Sequence, residues 1–240
     1  MTPEIARKKA ELDRLRPLSA RSTLELDRWY DVEITYTSNA LEGNTLTRTE
    51  TAVVLEKGIT VSGKPLRDHL EATGHLAAME YVRELAKAAE PIREIDIRNI
   101  HQLIMQRVDP DEAGSYSTHQ RLLTGSTFVP PSPAELLPLM AEFTAWLAST
   151  ALTPLTAFTA HERFVTIHPF SDGNGRTGRL LMNLLLLKAG FPPISIPPEL
   201  RVAYLDALVA IQTTGQREPY ESLLNQQLEA TLDHYLRVLS

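Results

Sequence analysis

The chain has 240 residues, 43% of them hydrophobic and 22% charged, enough to bury a sizeable core in one large domain or one domain with an appended piece. It contains no cysteine, which excludes disulfides, cysteine nucleophiles and thiolate metal sites and fits a reducing compartment. The formal net charge of −6 does not suit nucleic-acid binding, which needs clustered cations to displace counterions.

The first residues, MTPEIARKKAELDRLRPL, carry charges throughout and no apolar h-region, so no signal peptide is expected. The pattern from Met1 to Leu15 predicts an amphipathic helix stopped near Pro17. A second helix is predicted from Thr23, with Glu25 and Asp27 suiting its dipole, to a stop at Gly43-Asn44. Thr47 to Leu55 reads as a short helix, and GITVSGKPLRDH as a turn or small hairpin. Helices follow over Leu66 to Ala89 and Ile95 to Val108. THQRLLTGSTFVPPSPAEL, with β-branched residues, glycine and prolines, predicts a hairpin or extended loop. Glu135 to Ala148, Thr153 to Ile167, Thr177 to Ala189, Arg201 to Thr213 and Tyr220 to Val238 complete the helices. The longest apolar run, Leu180 to Leu187, includes Asn183 and ends at Lys188, far short of the ~20 residues of a membrane span. The expectation is an all-α, cytoplasmic protein with a β-hairpin insert and neither a membrane nor a nucleic-acid partner.

Between the last two central helices lies HPFSDGNGRTGR, residues 168–179. Gly173, Gly175 and Gly178 allow backbone N–H groups to face a ligand without Cβ interference. A helix start beside them adds unpaired N–H groups and a positive dipole end, which together suit a phosphate. Arg176 and Arg179 fall at that same positive end, where two cations are unfavourable until an oligophosphate joins them. Asp172 is a hard oxygen donor of the kind Mg²⁺ uses alongside substrate phosphates. His168 is the loop's only base that works near neutral pH. Taken singly, the histidine is an ordinary structural residue, Asp-Gly-Asn-Gly an ordinary turn and the arginines ordinary surface charges. Together they suit attack of a hydroxyl on a nucleotide phosphate. Walker A and HExxH patterns are absent, and His161 reads as a structural hydrogen bonder.

This loop resembles the signature of the Fic (Fido) family, HPFx(D/E)GNGRxxR, at every fixed position. The resemblance extends from about SGKPLRDHLEATGH to the end and includes AGSYS, TGSTFVPP and RVAYLDALVAIQ. It implies an all-α domain over residues 61–240, with a β-hairpin flap over the site and N-terminal helices over 1–60. It implies AMP transfer from ATP, with Mg²⁺, to a Ser, Thr or Tyr hydroxyl of a target protein, releasing pyrophosphate. His168 would then be the base, and Asp172 the Mg²⁺ ligand. Asn174 and the amides of Gly173, Gly175, Thr177 and Gly178 would hold the α-phosphate. Arg176 would hold the β-phosphate and Arg179 the γ-phosphate. Thr124, Gly125, Ser126 and Thr127 match the flap that covers the nucleotide, and Leu205 and Gln212 fall at the adenine pocket. Many members have arginine where this chain has Ser117.

SNALEGN, residues 38–44, places Ser38 and Glu42 one helical turn apart, with the carboxylate at the unfavourable helix end. By pattern alone Glu42 is a solvated surface residue. The stretch resembles the family's inhibitory motif, (S/T)xxxE(G/N), which implies pairing of Glu42 with Arg179 and bracing by Ser38. The carboxylate would then occupy the γ-phosphate's place and misalign ATP. The leading reading is a self-inhibited protein adenylyltransferase. Predominant de-AMPylation, another phosphate-ester transfer and a vestigial nucleotide-binding module are the alternatives. Exposed faces on the N-terminal helices leave a homodimer open.

Overall fold

The longest apolar run in the chain lies at the centre of the fold. In the computed structural model, which describes residues 2–122 and 128–239, helix α8 (Asn174–Lys188) is buried on every face from Arg176 to Leu186. A helix that is apolar all round needs neighbours on all sides. The other helices are α1 (Pro3–Arg14), α2 (Ala20–Leu41), α3 (Arg48–Lys57), α4 (Leu66–Lys87), α5 (Glu94–Met105), α6 (Pro133–Ser149), α7 (Pro154–Ile167), α9 (Arg201–Thr214) and α10 (Glu218–Leu239), with a 3₁₀ turn over Pro198–Leu200. Helices α7, α4 and α5 pack along α8, and α2 meets it near Arg179. At the far side, α1 lies on α10, where buried Lys8 reaches Glu229 at 3.0 Å and Asp233 at 2.7 Å. One continuous core runs from Ile5 to Tyr235. A smaller cluster of Leu46, Val54 and Ala72 fixes α3 on α4.

Local chemistry sets the helix ends. Helix α2 begins at Ala20, earlier than the expected Thr23, because Ser19 caps it: its Oγ accepts the Ser22 N–H at 3.0 Å. Helix α3 opens on a capping box, Thr47 Oγ1 accepting from the Glu50 N–H and Glu50 Oε2 from the Thr47 N–H. Helix α8 starts at Asn174, three residues before the expected Thr177, because Gly173 at φ 73° turns the chain directly into it. Helix α2 stops at Leu41, which leaves Glu42 as its C-cap rather than inside its last turn.

The expected hairpins are not found among the described residues, where no strand forms. Residues 58–65 form turns because their polar groups are satisfied locally. The Val61 N–H donates to His69 Nε2 at 2.9 Å, and His69 Nδ1 donates to the Pro65 carbonyl at 2.8 Å. The expected flap residues Thr124, Gly125, Ser126 and Thr127 lie outside the described residues. Among the described residues, no helix is long and apolar enough to cross a membrane.

Close backbone approach between α4 and α5 depends on Gly74. A Cβ there would sit 2.9 Å from the carbonyl oxygens of both Leu103 and Ile104. Because those atoms are backbone, the helices must separate to accept it. Gly74→Ala is expected to destabilise the protein by about 1–3 kcal/mol, read as a fall in Tm. An unchanged Tm would show that this contact is not tight.

Candidate active site

Helix α7 ends on His168, which adopts the left-handed conformation, φ 51° and ψ 55°, while its N–H still bonds to the Phe164 carbonyl. It is the one described non-glycine residue with positive φ, a conformation that costs ~1–3 kcal/mol and persists only where the surroundings impose it. They do so at several points. The Asn174 amide brackets Phe170, accepting its N–H at 2.9 Å and donating to its carbonyl at 2.8 Å. The Ser117 N–H donates to the Pro169 carbonyl at 2.9 Å, and the Arg121 guanidinium to the Ser171 carbonyl. The Phe170 ring stacks on His101, centroids 3.6 Å apart and planes 4° from parallel.

His101 is itself fixed in one tautomer. Its Nδ1 accepts the Gly114 N–H at 2.9 Å, so its Nε2 carries the proton and donates to the Asp172 carbonyl at 2.9 Å. Burial lowers its pKa to about 4, so the ring is neutral at pH 7. His168 is neutral there too, burial pushing its pKa below the ordinary value. Its Nδ1 faces the Val165 carbonyl at 3.3 Å. A carbonyl only accepts, so Nδ1 carries the proton and Nε2 keeps its lone pair, which takes no hydrogen bond from the described residues.

The two arginines of the loop are both buried, but they take different routes. Arg176, 2% exposed, closes a ring of alternating charges. It lies 3.3 Å from Asp172 and 3.2 Å from Glu71, while Arg67 reaches Glu71 at 3.0 Å and Asp172 at 3.2 Å. The geometry is imperfect, since Arg176 Nη1 stands beside Glu71 without a well-angled hydrogen bond. The Asp172 carboxyl is pushed up by burial, but Arg176 overrides this and holds it below its usual range. Arg179 turns toward α2. Its Nε donates to Ser38 Oγ at 3.0 Å, and its Nη2 to the Ser38 carbonyl at 2.9 Å and to Glu42 Oε1 at 2.6 Å. Burial pushes the Glu42 carboxyl up, and Arg179 overrides that too, keeping it ionised.

These groups share a cleft of about 660 Å³, within the usual range for small-molecule sites. Glu42, His168, Asp172, Gly173, Asn174, Gly175 and Arg179 line it, together with the apolar Leu205, Leu208 and Val209 and the amide of Gln212. Glu42 fits because residue 175 is glycine: a Cβ there would stand 2.3 Å from Glu42 Oε1.

Some expected contributions take another form. The Asn174 side chain braces the loop and leaves its backbone to the cleft. Thr177 is fully buried, and its N–H bonds to the Gly173 carbonyl at 2.9 Å. Gly178 lets α7 approach, since a Cβ would meet Val165, His161 and Phe164 at 3.0–3.2 Å. Ser117 anchors the loop through its backbone, and its hydroxyl donates to the His119 carbonyl at 2.9 Å. His161 is a structural bonder, held between Tyr204 at 2.9 Å and Tyr220 at 2.6 Å. Sequence reasoning missed His101, Arg67, Glu71 and Arg121. Only Arg67 and Glu71 gave a signal, as an i,i+4 pair. Among the described residues, no group of three or more His, Asp or Glu side chains could hold a metal by itself.

The sequence model of the Fic/DOC family matches residues 91–186. The chain is similar to a Fic-domain-containing signaling protein of Bacteroides thetaiotaomicron VPI-5482, with TM-score 0.89 and 30% identity over 98% of this chain and 97% of that one. It is similar to Fic-1 from C. elegans, with TM-score 0.86 and 30% identity over 98% of this chain and 69% of that one. It is 39% identical over 205 residues to protein adenylyltransferase Fic of Drosophila erecta, covering 84% of this chain and 41% of that protein. The chain thus spans about two fifths of the length of that curated relative.

A pH dependence of stability follows from His101. Its folded pKa, about 4, lies below the ordinary 6.5, so the unfolded chain takes up the proton first. The stabilisation is complete above pH 6.5 and is lost as pH falls toward 4, by about 3 kcal/mol. Urea unfolding across this range should show a shallower acid decline in His101→Gln than in the wild type. Parallel declines would mean that His101 does not titrate this way.

Proposed function

Because the chain belongs to the Fic/DOC family, we propose that it is a protein adenylyltransferase restrained by its own Glu42. In this reading it transfers AMP from ATP to a hydroxyl of a target protein. The observation that carries it is a neutral His168 whose Nε2 lone pair is free, at the edge of a cleft that also holds the start of α8 and Arg179. His168 Nε2 takes the proton of the incoming hydroxyl. The hydroxyl oxygen forms a bond to the α-phosphorus as the bond to the bridging oxygen of pyrophosphate breaks, and pyrophosphate leaves with that electron pair. Backbone amides at the start of α8 hold phosphate oxygens, and Leu205 and Gln212 flank the base. Arg179 neutralises the terminal phosphate.

The donor chemistry fits a divalent cation that arrives with the nucleotide. Asp172 is ionised and half-exposed, and Mg²⁺ uses one or two carboxylates with phosphate oxygens and water. When bound, Mg²⁺ would neutralise phosphate charge. Asp172 would hold it, after exchanging its contacts with Arg67 and Arg176 for the cation.

The self-inhibited part of the reading rests on Glu42 Oε1 standing 2.6 Å from Arg179 Nη2. A carboxylate there takes the place of a terminal phosphate. ATP that still enters does so with its α-phosphorus displaced, and ~1 Å of misplacement can cost about a hundredfold in rate.

Intact-protein mass spectrometry after incubation with ATP and Mg²⁺ tests this directly. Glu42→Gly should acquire AMP on itself or on added protein about a hundredfold faster than wild type, and Glu42→Gly/His168→Ala should not acquire it at all. Transfer by the double variant at the rate of Glu42→Gly would remove His168 as the base. Release of AMP from a pre-modified protein by wild type, with no transfer in Glu42→Gly, would favour the de-AMPylating reading, in which Glu42 orients water. The same assay carries a pH signature. The lowered pKa of His168 keeps it deprotonated through neutrality, so kcat/KM of Glu42→Gly should hold on the acid side until pH falls below the ordinary histidine value of 6.5. A limb at or above that value would contradict the assignment.

A further inference from the structure

Glu42 sits where helix electrostatics disfavours it. Helix α2 ends at Leu41 with no basic residue in its last turn, and its C-cap is a carboxylate beside unpaired carbonyls. Two arginines from elsewhere supply the missing cations. One is Arg179, on the Ser38 carbonyl and Glu42. The other is Arg201, whose Nε donates to the Leu41 carbonyl at 2.8 Å. Arg201 is the first residue of α9, the positive end of its own helix, where a cation gains nothing from local structure. The preceding 3₁₀ turn packs against α2 and carries Arg201 to that carbonyl.

The segment around Glu42 is thereby tied on both sides. Downstream, the Asn44 amide donates to the Asp68 carbonyl and to Glu71, each at 3.0 Å, and the Thr45 N–H to Asp68 Oδ2 at 2.8 Å. Upstream, Arg201 grips the residue immediately before Glu42. Three short backbone bonds lie between these ties: Glu42 N–H to Asn39 O, Gly43 N–H to Ala40 O and Asn44 N–H to Asn39 O, at 3.0–3.1 Å. Past this turn the α-helical ladder does not continue, so local backbone bonding ends there. The direction in which Glu42 leaves the helix is set by those two ties.

We propose that Arg201 is a positioning residue for Glu42: its hold on the Leu41 carbonyl keeps the carboxylate on Arg179 and so sets how strongly the cleft is blocked. This rests on the reading of Glu42 as inhibitory. Arg201 acts through Glu42, so its effect must vanish when Glu42 is absent. An arginine that contacted substrate would have the opposite sign, because its loss would slow transfer whether or not Glu42 is present.

The experiment is a two-background comparison with an independent structural readout. Arg201→Met keeps the aliphatic stem and removes the donor. In the otherwise wild-type protein it should raise AMP transfer on the order of tenfold, the scale of one charge-assisted hydrogen bond. In the Glu42→Gly background it should give no rise, and Arg201→Lys, which retains a donor, should fall between wild type and Arg201→Met. Where Glu42→Gly itself gains transfer, no rise in the wild-type background, a fall in both backgrounds, or an equal rise in both would overturn the proposal. Hydrogen exchange at the Glu42, Gly43 and Asn44 amides should quicken in Arg201→Met, with amides of the α8 interior unchanged. Unchanged exchange at those three amides would also overturn it, whatever the rates. If Glu42→Gly itself shows no gain in transfer while Arg201→Met speeds that exchange, Arg201 still positions Glu42, and it is the inhibitory reading that fails.

Discussion

Two guanidiniums at the start of a buried helix have to be neutralised, and much of the molecule around the cleft is arranged to do it. Arg176 and Arg179 stand at the positive end of α8, with 2% and 5% of their surface exposed. Neither can be left to water, and an arginine does not shed its proton to escape burial. Arg176 is balanced within the α4–α8 layer by Glu71 and Asp172, with Arg67 closing the ring from outside. Arg179 has no such partner on α4 or α8. Its balance comes from α2, as one carboxylate, one hydroxyl and one helix-terminal carbonyl.

That division gives the two arginines different prospects. The Arg176 ring is closed and neutral, and it shares Glu71 with Asn44, so it also fixes the chain just past Glu42. The Arg179 contacts are open on the cleft side. The loop that precedes them is held for reasons that lie mostly outside the ion pairs. His101 pins Asp172 and stacks on Phe170, Asn174 closes the turn, and the Ser117 backbone fastens Pro169. These bonds hold His168 in its left-handed conformation, and the Val165 carbonyl facing its Nδ1 leaves the lone pair on Nε2. Preorganisation is thus built largely from neutral hydrogen bonds, with the Arg121 guanidinium on the Ser171 carbonyl as the charged exception.

How much of this was legible in the sequence depends on the range of the interaction. Helix positions followed from periodicity and caps, and their errors were end effects. Ser19 displaced Thr23 as the α2 cap, and Gly173 started α8 three residues early. The groups that line the loop were legible because its histidine, carboxylate and arginines fall within twelve consecutive residues, 168–179. Its support was not. His101 stands on an amphipathic helix with no pattern to separate it from an ordinary core histidine, and its task depends on a contact with Asp172 across the fold. Thr177 and Gly178 looked like cradle residues because a glycine-rich run does not say where the helix begins. Once α8 starts at Asn174, the helical repeat turns both inward. Arg201 was unreadable for the same reason: its partner is the backbone of Leu41, and backbone atoms leave no mark in a sequence.

The exposure of the two partners decides how Glu42 can leave. Its side chain is 38% exposed, whereas that of Arg179 is 6% exposed. The carboxylate can return to water at small cost, because an ion pair reached by solvent contributes little. Arg179 cannot follow it, and without Glu42 it keeps the neutral Ser38 hydroxyl and carbonyl and the Tyr204 hydroxyl against a full buried charge. The contact therefore resists opening mainly on behalf of the arginine. An anion that arrives as Glu42 departs removes that resistance, whereas one that must wait for an empty site meets all of it. In the proposed reading a terminal phosphate is such an anion, and the glycine at position 175 leaves the space for Glu42 Oε1, which lies 2.3 Å from where a Cβ would stand. The closed contact is, in that reading, the resting state, held by burial of one guanidinium, and its release is an exchange of anions.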